Sequence, residues 1–297
     1  MELVSEWVSY GSPPGSVSAY MSRPHAAGGP LPGILVIQEV WGVDRHISDV
    51  ADRFASAGYV AVAPDLYSAG GGRPPALAGE RVDAAKAFLN TIPPGQWMAV
   101  LGNDASREQA LAKLGPEQAG EVGETLGALF GGVGRDPAGH IDALRAAVAF
   151  LRAHPACAGR AVGSVGFCMG GNLSALLAGA EPTLGAAAIF YGSAPGAEQV
   201  ASIRCPVRGF YGQDDPRIVA GLPAFEQALD AADADSELRI YPDTGHAFFN
   251  DTRPSYRPEA ARDAWGRVLA FFAATLEPAP TVALADAAAA LEDASSA

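Results

Sequence analysis

Apolar residues in this chain come in short runs separated by polar, glycine-rich or proline-rich breaks, and the runs alternate between two kinds. One kind is continuous or nearly so: ILVI at 34–37, YVAVAP at 59–64, AVGSV at 161–165, AAAIFYG at 186–192, PVRGFYG at 206–212 and LRIYP at 238–242. Such runs are expected of strands buried on both faces of a parallel sheet. The other kind repeats at helical spacing. Segments 44–57, 80–89, 136–153, 220–232 and 257–276 read as helices, and 172–179 as a helix start; Gly58 closes the first, and Trp265, Leu269 and Phe272 recur at helical spacing in the last. Ahead of them, residues 2–10 and 16–22 read as two strands joined by GSPPG, an antiparallel edge. Regular alternation of strand and helix predicts an α/β protein with one doubly wound, mostly parallel sheet.

The pattern loosens at 91–135, where PPGQW, LGND, LGPEQ and GGVGR break up helical pieces at 106–114 and 117–130. This stretch is too small and too glycine-interrupted to bury a core of its own, so it is expected as an insertion on the functional edge of the sheet, a lid. Its apolar residues, Trp97, Met98, Leu126 and Phe130, suit a pocket lining or plain packing equally well. Residues 1–276 then form a single domain, and the alanine-rich acidic tail at 277–297 is assigned no function.

Composition narrows the function. Of the 297 residues 49% are hydrophobic and 18% charged, ample material for a core. A net charge of −13 with no Lys/Arg cluster excludes nucleic acid and anionic membrane as partners. The amino end carries acids rather than a basic leader, and no run of about eighteen apolar residues occurs, so a soluble cytoplasmic protein is expected. Cys157, Cys168 and Cys205 are too few and too scattered for a disulfide framework or a zinc knuckle. Whether the chain forms a homo-oligomer is left open.

The chemistry centres on GFCMGG at 166–171, between a strand run and a helix start. The spacing Gly166-x-Cys168-x-Gly170 matches the nucleophile elbow of α/β-hydrolases, with sulfur where serine is usual. Glycine permits a turn sharp enough for the nucleophile to stand clear of the backbone, and a helix beginning just after it favours a thiolate. A small buried cysteine in a glycine-rich turn is the competing reading. Ser164 lies within the strand and lacks the spacing. In this fold a nucleophile is followed along the chain by an acid and then a histidine. QDDP offers Asp214 and Asp215 after one strand, and DTGHAFFND offers His246 after the next, with Asp243 a weaker rival acid. The competing reading of His246 is a loop histidine capping the last helix. Backbone N–H groups of Met169, after the nucleophile, and of Val40, after the strand ending at Glu39, are the expected oxyanion donors. Glu39 has three readings: a charge that disfavours the thiolate, an acceptor for the thiol, or a structural hydrogen-bonding role at a strand end.

ILVIQEVWG, HISDVADRFASAGYVAVAPDLY, GSVGFCMGGNLS, FYGQDDP and YPDTGHAFFND, in that order over roughly residues 34–265, resemble the dienelactone hydrolase family. The resemblance implies an α/β-hydrolase fold, a triad of Cys168, Asp215 and His246, and Glu39 as the carboxylate that helps control ionisation of the cysteine. It also implies no metal or organic cofactor, and a small-molecule lactone or ester as partner, opened through a thioester. Asp215 is preferred to Asp214 because its offset from Gly212 fits that family. Two arginines that hold the substrate carboxylate in well-known members are out of register here. DLY is followed by Ser68, Ala69 and glycines before Arg73, and the second position is Asn250 with Arg253 three residues on. Trp41, Tyr67, Arg73, Phe248 and Arg253 are the expected substrate contacts. A dienelactone hydrolase-like lactonase or esterase is therefore expected. A general short-chain carboxylesterase is the alternative, and a non-catalytic ligand-binding protein of the same fold is the rival from another class.

Overall fold

The computed structural model describes residues 1–277 except 14, 69, 94, 95 and 132–135; the tail from 278 and the GGVGR break fall outside the described residues, as does the side chain of Met98. An eight-stranded sheet has the order β1-β2-β4-β3-β5-β6-β7-β8. β1 (Leu3–Ser12) and β2 (Gly15–Pro24) form the expected antiparallel edge, and β2 pairs antiparallel with β4 (Val60–Pro64). β3 (Gly33–Ile37), β5 (Val162–Phe167), β6 (Ala186–Phe190), β7 (Val207–Gly212) and β8 (Ser236–Tyr241) continue from β4 in parallel.

The uninterrupted apolar runs are explained by cover on both sides. Along β3, Leu35 and Ile37 face one core while Ile34 and Val36 face the other, and all four are inaccessible to solvent. The first core is closed by α6 (Pro137–Ala153), α7 (Met169–Ala180), α8 (Ala197–Val200) and α10 (Leu222–Ala231). The second is closed by α1 (Arg45–Ser56) and α11 (Pro258–Leu276), through Phe54, Val268 and Phe272. Helix ends follow local chemistry. Asp44 caps α1 by accepting from the Ile47 N–H, Asp136 caps α6 by accepting from the Gly139 N–H, and Pro137 and Pro258 open their helices.

Between β4 and α6 lies a helical cap. A single 3-10 turn (Pro75–Leu77) leads into α2 (Gly79–Asn90), α3 (Trp97–Gly102), α4 (Asp104–Leu111) and α5 (Pro116–Phe130). The insertion shares its core with neighbouring segments. Leu77, Val82, Phe88, Leu89, Val100, Leu111, Val122, Leu126 and Leu129 form an apolar cluster with Trp41 and Tyr67. It is assembled by drawing in α2, upstream of the residue-91 boundary, and two residues from the sheet's carboxyl edge. Among the described residues no helix is long and apolar enough to cross a membrane.

Candidate active site

The carboxyl ends of β3, β4, β5, β6, β7 and β8 deliver Glu39, Tyr67, Cys168, Tyr191, Asp215 and His246 to one edge of the sheet, where ligands sit in open α/β folds. At the end of β5 the chain reverses into α7 through Cys168, whose φ of 56° and ψ of −112° lie outside the ordinary regions for a side-chain-bearing residue. The flanking glycines make this turn physically possible. A Cβ on Gly166 would stand 1.8 Å from the Gly170 carbonyl oxygen, and one on Gly170 2.3 Å from the Ile37 carbonyl oxygen. Cys168 is partly exposed, whereas Cys157 and Cys205 are buried and burial pushes both thiols up to about 11.

The three residues expected from chain order meet in a line. Cys168 Sγ is 3.1 Å from His246 Nε2, and His246 Nδ1 is 2.5 Å from Asp215 Oδ2. Asp215 is buried at the start of α9 (Pro216–Val219), while Asp214 and Asp243 are exposed and have no part in the line. Burial disfavours a charged His246. The Cys168 thiolate on one side and the Asp215 carboxylate on the other outweigh it and raise the imidazole to about 10. His246 is therefore held between the Cys168 sulfur and the Asp215 carboxylate, and the ring is no cap for a helix.

The N–H groups of Val40 and Met169, the two donors expected from the sequence, have no acceptor among the described residues. The loop carrying Val40 is braced from several sides. The Tyr67 hydroxyl donates to the Val40 carbonyl at 2.8 Å. Arg73 donates to Asp65 at 2.6 Å and lies against the turn at Gly42, where φ is +85° and a Cβ would meet Arg73 Nη2 at 2.6 Å. Glu39 is 2% exposed and both its oxygens are engaged, by the Tyr191 hydroxyl at 3.2 Å and the Asn250 amide at 2.9 Å. Of its three readings the hydrogen-bonding role at the strand end is the one the geometry displays. The thiol's polar partner is His246, not Glu39. Burial and then the Glu39 charge hold the Tyr191 phenol protonated as a donor. Asn250 in turn accepts from the Thr252 N–H and hydroxyl, which fixes the direction of its amide.

Of the five expected substrate contacts, Trp41 and Tyr67 lie between the sheet edge and the cap, both nearly buried. Phe248 does not line the site: it is fully buried, with its ring against Phe190, Tyr191 and Tyr241. Both arginines have protein partners. Arg73 holds Asp65, and the Arg253 guanidinium is stacked 4.8 Å from the Trp97 ring and 5.5 Å from the Trp41 ring while donating to Asn90 of α2 at 3.2 Å. Tyr191 was not anticipated from the sequence, although its place directly after a buried strand is a signal, as is its φ of 42° in the structure. Among the described residues no group of three or more His, Cys, Asp or Glu side chains is placed to hold a metal ion.

A model of the dienelactone hydrolase family matches residues 17–276, which take in most of β2, all of β3 to β8 and every residue of the line. The chain belongs to the dienelactone hydrolase family. It is 32% identical over 265 residues to a protein of Saccharolobus solfataricus provisionally named a carboxymethylenebutenolidase, across 89% of this chain and 96% of that one. A protein of Escherichia coli K12 with the same provisional name is 30% identical over 281 residues, covering 91% of this chain and 87% of its own. Among solved structures, a protein described provisionally as a dienelactone hydrolase from Klebsiella pneumoniae superposes with a TM-score of 0.69 at 29% identity, over 92% of this chain and 99% of its own. The dienelactone hydrolase-like promiscuous phosphotriesterase P91, from metagenomic libraries, shares the fold at 20% identity, with a TM-score of 0.64 over 93% of this chain and 100% of its own. As a dienelactone hydrolase family member the chain is a hydrolase of α/β-hydrolase fold.

Proposed function

We propose that this dienelactone hydrolase family member cleaves carboxylic esters or lactones through a thioester on Cys168, and that the observation carrying this reading is the unbroken line from Cys168 Sγ to His246 to Asp215. The thiolate attacks the carbonyl carbon, a C–S bond forms, and the displaced electron pair moves onto oxygen between the Met169 and Val40 N–H groups. Collapse of the tetrahedral species breaks the C–O bond, and His246 Nε2 gives its proton to the leaving oxygen. In a lactone that oxygen stays tethered to the acyl chain. The now neutral His246 takes a proton from water, the hydroxide attacks the thioester, and the thiolate departs to restore the pair. Throughout, Asp215 holds the ring by Nδ1, so the residue moves protons without turning.

The engagement of Arg73 by Asp65, and of Arg253 by two tryptophans and Asn90, favours an uncharged ester or lactone over one that must be gripped by a carboxylate. The deciding experiment uses a short activated ester with wild type and Cys168→Ala, alongside mass spectrometry of the protein quenched during turnover. Wild type should gain the mass of the acyl group on the peptide containing Cys168. Cys168→Ala should lose at least about a thousandfold in kcat/KM. Retained turnover in that variant removes the sulfur from the reaction. A panel pairing simple esters with carboxylate-bearing lactones should rank the neutral esters higher in kcat/KM.

A further inference from the structure

β8 ends the sheet, and among the described residues nothing pairs with its outer side. The carbonyls of Asp235 and Tyr241 point inward, accepting from Val207 and Gln213. By the alternation of a parallel ladder, Ser236, Leu238 and Ile240 turn their N–H and C=O groups outward, and these have no acceptor or donor among the described residues. Natural edges of this kind are commonly blunted by proline, a bulge or a helix or loop laid across them, or by charge that a second copy cannot pair. Among the described residues this one has none of these. Its sequence is Ser-Glu-Leu-Arg-Ile-Tyr, and Ile240 is 44% exposed, one of three large exposed apolar side chains among the described residues.

The sequence of this edge is complementary to itself. Two antiparallel copies must oppose outward-facing residues to outward-facing residues, which leaves registers two residues apart. With the two-fold axis at Leu238, Leu238 faces its own copy and Ser236 faces Ile240, each pair exchanging backbone hydrogen bonds. On the opposite face of the sheet Glu237 then stands against Arg239, twice by symmetry, in the non-hydrogen-bonded positions where side chains approach closest. Moving the axis to residue 237 opposes two glutamates, and moving it to 239 opposes two arginines. Within the strand, Ser236–Tyr241, only the register centred on Leu238 pairs unlike charges. Arg239 is also underused within its own chain, with a buried Nε that has no acceptor and an Nη2 that reaches only Glu237, at 3.4 Å.

We propose that β8 is an interface for a second copy of this chain, joined two-fold about Leu238 into one continuous sheet across both molecules. A contact of six residues per strand is shorter than a stable obligate dimer requires, so a concentration-dependent dimer is expected. The test is sedimentation equilibrium of the full chain over about 1–200 µM, the span in which such a dimer is visible. The mass should rise with concentration from 30.4 kDa towards twice that value. Glu237→Arg and Arg239→Glu alone each oppose like charges and should weaken association at least about tenfold. The double swap Glu237→Arg with Arg239→Glu restores both pairs and should restore the dimer. Far-UV circular dichroism and the thermal midpoint verify that each variant is folded. A wild type that stays at 30.4 kDa throughout overturns the proposal. So does a dimer untouched by either single change, which places the contact elsewhere, for example at β1, where Trp7 is 54% exposed. A double swap as monomeric as the single variants overturns the register.

Discussion

At the scale of single residues, the site depends on where one proton rests. His246 is raised from 6.5 to about 10, so folding stabilises its protonated form. The stability this linkage supplies is complete below pH 6.5 and is lost as pH rises through about 10. The same proton is needed by the leaving oxygen in acylation. The alkaline limb of kcat/KM for an activated ester is therefore expected near pH 10. Asp215→Asn keeps the shape of the side chain but removes its charge, and it should move that limb to lower pH while cutting kcat by about a hundredfold or more. Glu39, engaged by Tyr191 and Asn250 and not by the sulfur, should matter differently. Glu39→Gln should displace the pH profile of Cys168 alkylation less than Asp215→Asn does. An equal or larger displacement would assign Glu39 to control of the thiol. Asn250→Leu fits the same space and leaves a buried carboxylate oxygen unpaired, so it should cost about 1–3 kcal/mol in urea unfolding.

At the scale of elements, the strand–elbow–helix unit is specified by space. Gly166 and Gly170 have no room for a methyl group because backbone carbonyls already occupy it. Gly166→Ala should cost on the order of 3 kcal/mol or more in denaturant unfolding and reduce activity with it, since the elbow must open to admit the Cβ. This unit was legible in the sequence for the same reason: its signals are local. The buried strands, the capped helices and the chain order that brings Cys168, Asp215 and His246 into line were legible too, since each is a short pattern with one physical cause. What escaped depends on contacts between distant segments. Tyr191 and Asn250 reach Glu39 from 152 and 211 residues away, and no local pattern marks either as its partner. Phe248 reads as a site residue from its nearness to His246, yet the loop turns its ring into the aromatic core. The short helices α3, α8 and α9 carry too few residues for a period to show, and tertiary packing decides them. His46 is another product of distant packing. It is buried between Phe167 and Phe249 with neither ring nitrogen hydrogen-bonded among the described residues, and burial lowers its affinity for a proton below the usual 6.5.

At the scale of the whole molecule, the cap and the sheet edge are two bodies sharing one apolar cluster, with polar ties between them from Lys86 of α2, paired with Asp44 at 2.7 Å, and from Arg253. Its guanidinium lies against Trp41, on the loop that carries Val40, and against Trp97 of α3, and it donates to Asn90 at the end of α2. Trp41 is also met edge-on by Phe130 of α5 at 6.2 Å. Movement of the cap away from the sheet edge breaks the stacking of Arg253. Cation–π contacts of this partly buried kind contribute about 1–2 kcal/mol, and 1.4 kcal/mol is a factor of ten in an opening equilibrium. Arg253→Gln should consequently speed amide hydrogen exchange across α2 to α5 by about tenfold while leaving β3, β5 and β6 at wild-type protection. Uniform acceleration over the sheet would mean that Arg253 supports the global fold and not the seating of the cap. With the cap loosened but the triad intact, bulky esters should gain in kcat/KM relative to small ones, because the apolar roof over Trp41 no longer limits entry. An unchanged ratio, together with faster exchange, would separate cap mobility from access to Cys168.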